Sequence, residues 1–124
     1  MKYRILGRTK IRVSELGVGG HEYRRRLPEK RDKEEFMRTQ PERNELIRRA
    51  LDAGINYFDT TFIEEVESLG LAIRKINPKR ENIYVSIMSF RPFKVMAENP
   101  QSKWIEIIMG DIEKKAQAPE LQLC

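Results

Sequence analysis

The stretch Ala53-Gly-Ile-Asn-Tyr-Phe-Asp-Thr-Thr61 decides the fold class of this chain. Gly54 can adopt the positive φ that closes a helix, and the β-branched and aromatic residues after it favour a strand over Ile55–Asp59. Asp59 then lies at the carboxyl end of that strand, where parallel α/β proteins place their chemistry. The same position also suits a helix cap or a turn, so spacing alone leaves both interpretations open.

A helix is predicted on each side of this strand. The first begins near Thr39, which has capping-box spacing to Glu42, and ends at Gly54. The second covers Glu64–Lys75 and stops at Asn77-Pro78. Each carries an apolar stripe at helical spacing, which predicts a buried face. The stripe residues are Leu46, Ile47, Ala50 and Leu51 in the first helix, and Val66, Leu69, Ile73 and Ile76 in the second.

The remaining segments predict further strands and a third helix. Tyr3–Gly7 and Ile11–Ser14 flank a turn and predict a β-hairpin. Asn82–Met88 is nearly continuous in apolar residues, as expected of a strand buried on both faces. A helix over Ser102–Lys115, capped by Ser102, completes the series. Its predicted buried stripe is Trp104, Ile105, Ile108, Met109 and Ile112.

The order of these elements is a hairpin followed by β-α-β-α-β-α. Alternating strands and helices of this kind predict an α/β fold with a parallel sheet and helical crossovers. Residues 21–39 are polar and show no clean period, so we predict a long loop there with a helical turn around Lys33–Met37. The segment 117–124 is predicted to be an irregular tail.

Composition narrows the class of protein further. The 124 residues suffice for one domain, and a hydrophobic fraction of 40% fits a soluble globular protein, whereas the charged fraction of 35% is on the high side. No apolar run is long enough for a membrane span. The net charge of +5 is spread among acids, and Arg24-Arg25-Arg26 is predicted to be a solvated loop, so no nucleic-acid partner is expected. With a single cysteine and no hydrophobic signal region, a cytoplasmic location is expected. No metal site is predicted.

Three segments resemble the aldo/keto reductase family. The opening Tyr3-Arg-Ile-Leu-Gly-Arg-Thr…Val13-Ser-Glu-Leu-Gly-Val-Gly19 is similar to that family's N-terminal hairpin and first strand. Ala50-Leu-Asp-Ala-Gly-Ile-Asn-Tyr-Phe-Asp-Thr60 is similar to its second helix–strand unit, and Glu67-Ser-Leu-Gly-Leu-Ala72 to the helix that follows. The resemblance runs from residue 1 to about residue 115 and implies a (β/α)8 TIM barrel that uses NADP(H) to reduce aldehydes or ketones.

The resemblance also assigns positions to the family's functional residues. A tyrosine donates the proton to the carbonyl oxygen, a lysine lowers its pKa, an aspartate pairs with the lysine and a histidine orients the substrate. Asp59 matches the aspartate. Glu64 stands at the tyrosine position and Met88 at the lysine position. Gly19 and Gly20 align with the turn beside the nicotinamide end of the cofactor.

The histidine position belongs to a fourth strand that this chain does not visibly contain. His21, the only histidine, follows the first strand and does not match that position. Glu64 could donate a proton if burial raised its pKa, but it also fits an acidic first turn of a helix. Met88 cannot stabilise an anion, and we expect it to pack in the core.

A barrel of this kind takes about 250 residues, whereas this chain holds about three βα units. We therefore expect an incomplete barrel domain over residues 1–116, from truncation or a disrupted reading frame, with weak or absent NADP(H) binding and no activity of its own. Two alternatives remain open. The chain could be an enzyme that works as an oligomer or with rearranged chemistry on Glu64 and Asp59, or it could be a non-catalytic interaction module that uses an exposed sheet edge or the loop 21–39. Exposed sheet edges also predict self-association.

Overall fold

The computed structural model describes residues 1–21, 32–88, 97–98 and 100–117. Within these ranges the chain is mixed α/β, with two small two-stranded sheets and three α-helices longer than ten residues. The elements are β1 Tyr3–Ile5, β2 Arg12–Ser14, α1 Lys33–Asp52, β3 Tyr57–Thr60, α2 Ile63–Ile76, β4 Tyr84–Ile87 and α3 Trp104–Ala116. The α/β class predicted from the sequence is therefore confirmed.

The predicted hairpin is confirmed, and hydrogen bonds join it to the Ala53–Thr61 stretch. β1 and β2 pair antiparallel, with Tyr3 opposite Ser14. The Tyr3 hydroxyl donates to Gly54 O at 2.8 Å. Asn56 also binds β2 through its side chain. Its Oδ1 accepts from Ser14 N at 2.7 Å and its Nδ2 donates to Arg12 O at 3.0 Å. Three polar groups thus hold the hairpin against the α1–β3 turn.

The first helix begins earlier than the sequence analysis predicted. Asp32 caps α1, because its Oδ1 accepts from Glu34 N at 2.9 Å. Thr39 lies in the helix interior and donates its hydroxyl to Glu35 O at 2.9 Å, so the predicted cap near Thr39 is wrong. The helical turn predicted around Lys33–Met37 is confirmed as the first part of α1, the loop predicted up to residue 39 is wrong because the helix continues, and residues 22–31 lie outside the described residues.

Pro41 sits inside α1, where proline ordinarily disrupts a helix by removing a hydrogen bond. The turn ahead of it is held by a side chain instead. Arg43 donates from Nη2 to Phe36 O at 2.6 Å and from Nη1 to Thr39 Oγ1 at 2.7 Å. These bonds from Arg43 stabilise the helical turn before Pro41. The helix therefore continues through a position that the sequence indicated as a first turn.

β3 and β4 pair in parallel, as the βαβ pattern predicted, and Val18 adds an isolated parallel bridge to Phe58. Asp59 N donates to Val18 O at 2.9 Å. Both strands are shorter than the predicted Ile55–Asp59 and Asn82–Met88, and β3 is shifted to include Thr60. All four residues of β4 are half-buried, so the prediction of burial on both faces is wrong.

The core lies between α1, α2 and one face of the parallel pair. Phe58, Ile47, Leu69, Ile73 and Ile83 are fully buried in it. The apolar stripes predicted for the first two helices are confirmed, with Leu46, Leu51 and Ile76 at the partly buried margin. Gly54 has φ +84 and Asn77 has φ 53, which end α1 and α2 as the sequence indicated.

A hydrogen-bonded polar cluster also joins α1 to α2 within the buried region. Arg43 is fully buried and donates from Nε to Ser68 Oγ at 2.7 Å and from Nη2 to Gln40 Oε1 at 2.7 Å. Gln40 Nε2 donates to Ser68 O at 2.9 Å. Burial lowers the pKa of Arg43 to about 10, which records the cost of removing its charge from water.

The third helix differs most from its prediction. Residues 101–103 form a 3-10 turn, α3 starts at Trp104, and Ser102 makes no side-chain cap. Ile105 is 78% exposed and Met109 is 46% exposed, so both were wrongly assigned to the buried stripe. Lys115 is buried instead. Among the described strands α3 contacts β4, and Lys115 rather than Ile105 or Met109 lies on the covered side of the helix. Gln117 ends the described part of the tail.

The turn at Gly54 gives a testable prediction. A Cβ at this residue would lie 2.9 Å from Tyr3 Oη and 3.0 Å from Met1 Cβ, at a φ that only glycine tolerates easily. We expect Gly54→Ala to lower the free energy of unfolding by about 1–2 kcal/mol, measured by urea denaturation. The control is Gly110→Ala in α3, where the new Cβ meets nothing within 4 Å. That substitution should stabilise by up to about 1 kcal/mol. Equal effects at the two positions would contradict the account.

None of the helices among the described residues combines the length and the apolar character that crossing a bilayer requires.

Candidate functional site

The carboxyl ends of the parallel segments meet at one edge of the sheet. Asp59 is opposite Ser86 in the register, and Met88 N donates to Thr60 O at 2.8 Å just beyond it. Phe58 belongs to the core, so Asp59, one residue on, projects from the other face of β3. The structure thus brings Asp59 and Met88 to the same edge, as their places in the sequence predicted.

Glu65 organises the turn between β3 and α2. It is fully buried, and its Oε2 accepts from Thr61 N at 2.7 Å and from Phe62 N at 3.2 Å. This is half of a capping box, since Glu65 is the third residue of α2 and accepts from the amides of the two residues that precede the helix. Glu65 was not predicted as a site residue, because the N-cap position three residues earlier is Phe62 rather than the serine or threonine of a capping-box pattern. Among the described residues, its Oε1 is a buried oxygen without a hydrogen-bond partner.

The two glycines aligned with the cofactor turn have different surroundings. Gly19 is exposed, and a Cβ there would meet nothing within 4 Å. Gly20 is buried, and a Cβ there would lie 2.6 Å from Glu65 Cδ and 3.1 Å from Asp59 O. The lack of a side chain at Gly20 therefore allows the segment after β2 to pack closely against the carboxyl end of β3. Only Gly19 presents its backbone to solvent at this turn.

Glu64 and Met88 occupy the other two predicted positions. Glu64 lies half-buried in the first turn of α2, among the acidic residues that suit a helix N-terminus. Met88 is 49% exposed. The prediction that Met88 packs in the core is therefore wrong, because Met88 lies just beyond the last residue of β4 with its side chain reaching solvent.

Lys115 brings a cation to this edge that the sequence analysis did not single out. Its Nζ donates to Met88 O at 3.1 Å and to Asp111 Oδ2 at 2.9 Å, with both side chains largely buried. The spacing of Asp111 and Lys115 on one helix face predicts an ion pair, but nothing in the sequence placed the pair next to β4. The contact ties α3 to the carboxyl end of the sheet.

His21 also reaches this end of the sheet. Its ring meets that of Phe62 edge-on, with the centroids 6.1 Å apart, and it is solvent-exposed. The sequence placed His21 outside the family's histidine position, and the structure shows it beside the β3–α2 turn. In residues 1–21, 32–88, 97–98 and 100–117, no group of three or more histidine, cysteine or acidic side chains is arranged to hold a metal ion.

The comparisons with known proteins add no family assignment: no protein-family model matches this chain, and no curated protein matches it either. Chemically, the edge offers a carboxylate at the tip of β3, a buried glutamate that caps α2, and an ammonium group already bonded to a carboxylate and a carbonyl. These groups can fix the backbone and bind polar molecules. A phenol with an adjacent free cation is not among the groups described at this edge.

Proposed function

We propose that this chain is an incomplete barrel segment, similar to the N-terminal part of an aldo/keto reductase, that does not reduce carbonyl compounds by itself. One observation carries the proposal. The parallel register of β3 and β4 brings Asp59 and Met88 to one end of the sheet, and Glu64 lies in the first turn of the helix that follows β3. Of these three positions, only Asp59 keeps the family residue.

The chemistry of the edge supports the absence of independent catalysis. Hydride arrival at a carbonyl builds negative charge on oxygen, so a positioned proton donor and a stabilising charge are needed. Met88 carries no charge. The nearby Lys115 ammonium is engaged by Asp111 and by Met88 O. Glu64 belongs to the acidic first turn of α2, a position where acidic side chains are common because they suit the helix dipole.

The residues present do not fit a nicotinamide dinucleotide well. At the turn where the resemblance places its nicotinamide end, Gly20 is packed against the Glu65 carboxylate rather than open to a ligand. Gly19 at the same turn is exposed. We therefore expect NADP(H) binding to be weak or absent, and no step of a reaction is assigned to it.

Consumption of NADPH tests the proposal. With purified chain and a panel of aldehydes and ketones, we expect no carbonyl-dependent loss of absorbance at 340 nm above the background without protein. Asp59→Asn is the control. Activity that disappears in this variant would belong to the chain and would overturn the proposal, whereas activity that persists unchanged would come from a contaminating reductase.

A second candidate is a non-catalytic interaction module. The observation that favours it is the half-burial of every residue of β4, which within the described residues pairs with β3 alone. An open parallel edge is a template for another strand. Size-exclusion chromatography tests this candidate, because a monomer at all concentrations would speak against association through the edge.

A further inference from the structure

The net charge of the chain falls on its first fourteen residues. This segment contains no acidic side chain and five basic ones, which are Lys2, Arg4, Arg8, Lys10 and Arg12. The other 110 residues carry 19 basic and 19 acidic side chains, so the formal charge of +5 belongs to this segment alone. The mixing of basic and acidic residues predicted for the chain therefore applies only after residue 14. We call residues 2–12, which include β1 and its turn into β2, the basic hairpin.

Two of the five cations are engaged within the hairpin. Arg4 Nε pairs with Glu15 Oε1 at 2.6 Å, and the Arg12 guanidinium lies 4.9 Å from the centre of the Tyr3 ring. The other three are exposed and have no side-chain partner among the described residues; they are Lys2, Arg8 and Lys10. These three charges are therefore available to an anionic partner.

The turn that carries Arg8 and Lys10 is held by hydrogen bonds that do not involve their side chains. Leu6 N donates to Ile11 O at 2.8 Å. Thr9 Oγ1 donates to Leu6 O at 2.6 Å and accepts from Ile11 N at 3.1 Å. The two cations are thus presented on a defined turn, and both can be replaced without removing the bonds that shape it.

Exposed aliphatic side chains lie directly beside these cations. Ile5 is 57% exposed and stands opposite Arg12 in the strand register, and Leu6, the next residue, is 41% exposed. Cations mixed with exposed aliphatic groups suit the surface of an anionic bilayer, where the cations meet the headgroups and the aliphatic groups reach the acyl boundary. A nucleic acid is recognised by charge, hydrogen bonds and aromatic stacking, and offers no such place for the aliphatic groups.

We propose that the basic hairpin binds the surface of an anionic phospholipid bilayer, with its free cations at the headgroups and with Ile5 and Leu6 at the boundary with the acyl chains. Contact of this kind lies on the membrane surface and needs no membrane-spanning helix. The hairpin is joined by Asn56 to the amino end of β3, whereas Asp59 lies at the carboxyl end of the same strand. The proposal is therefore independent of whether the chain binds NADPH.

Co-sedimentation with phospholipid vesicles tests the proposal. We expect the chain to bind vesicles with about one third phosphatidylserine at least about tenfold more tightly than pure phosphatidylcholine vesicles. Arg8→Gln/Lys10→Gln should weaken binding about 25-fold, since each basic residue near the surface contributes a factor of about five. The matched control is Lys103→Gln/Lys114→Gln, which removes the same charge from exposed lysines at α3, the helix that Lys115 ties to the opposite end of the sheet. It should change binding less than about threefold.

The aliphatic side chains distinguish a bilayer from other polyanions. Ile5→Ser/Leu6→Ser should weaken vesicle binding at least about tenfold and leave binding to inorganic polyphosphate unchanged. Unchanged urea midpoints verify that the variants fold. Equal binding to both kinds of vesicle, equal losses in the two glutamine variants, or a serine variant that binds vesicles as tightly as the wild type would each overturn the proposal.

Discussion

Gly20→Ala is expected to lower the free energy of unfolding by about 2–3 kcal/mol. The added methyl group would overlap the buried Glu65 carboxylate, with its Cβ 2.6 Å from Glu65 Cδ, and would press on Asp59 O at 3.1 Å. Glu65 cannot move freely, since its Oε2 accepts from the amides of Thr61 and Phe62. The strain therefore falls on the β3–α2 turn, which is the centre of the candidate site.

Gly19→Ala is the matched control, because a Cβ one residue earlier meets nothing within 4 Å. It should change the free energy of unfolding by no more than about 0.5 kcal/mol. Glu65→Ala provides a second control. It removes the carboxylate that the new methyl group strikes, so Gly20→Ala should cost less in the Glu65→Ala background than in the wild type. Urea denaturation of the four variants gives these energies, and equal costs for the two glycines would refute the packing described at the site.

Arg43→Ala is expected to lower the free energy of unfolding by about 3 kcal/mol or more, a large fraction of the total stability of a small domain. The substitution opens a cavity between α1 and α2. It also leaves Phe36 O, Thr39 Oγ1 and Gln40 Oε1 without the guanidinium donors shown in the structure. The loss is smaller than the sum of those hydrogen bonds, because burial of the charge opposes folding and lowers the pKa of Arg43 to about 10.

Arg48→Ala tests whether burial causes this effect. Arg48 lies on the same helix and forms ion pairs with Glu45 and Asp52 at 2.7 Å, but its side chain is half exposed. Exposed pairs of this kind contribute at most about 1 kcal/mol. Thermal and urea unfolding of both variants should separate the two arginines clearly. A cost for Arg43→Ala no larger than that for Arg48→Ala would show that the buried cluster does not hold the two helices together.

Local sequence patterns correctly predicted the elements that depend on turn chemistry or on the spacing of apolar residues. The hairpin, the positive φ of Gly54 and the buried faces of the first two helices all follow from turn chemistry and periodicity. Asp59 reached its predicted edge because a parallel βαβ unit allows little choice of direction.

The errors arose where a tertiary contact overrides a local signal. Thr39 and Pro41 have the pattern of a helix start, but α1 begins before them. Asp32 caps its first turn, and Arg43 donates to Phe36 O in the turn that precedes Pro41. Ile105 and Met109 have the spacing of a buried stripe, yet the bonds of Lys115 to Met88 O and Asp111 fix the rotation of α3 and leave them exposed. The difference between the surroundings of Gly19 and those of Gly20 depends on Glu65, which lies 45 positions after Gly20 along the chain.

We propose that the described residues at the carboxyl end of the sheet lack the groups needed to bind NADP(H) and to protonate a carbonyl. Equilibrium titration of NADPH, followed by its fluorescence and by quenching of Trp104, tests this claim most directly. The account predicts no saturable change in either signal at cofactor concentrations up to about 1 mM, the upper end of ordinary ligand affinities for enzymes. Saturable, micromolar binding that is lost in Asp59→Asn would contradict it.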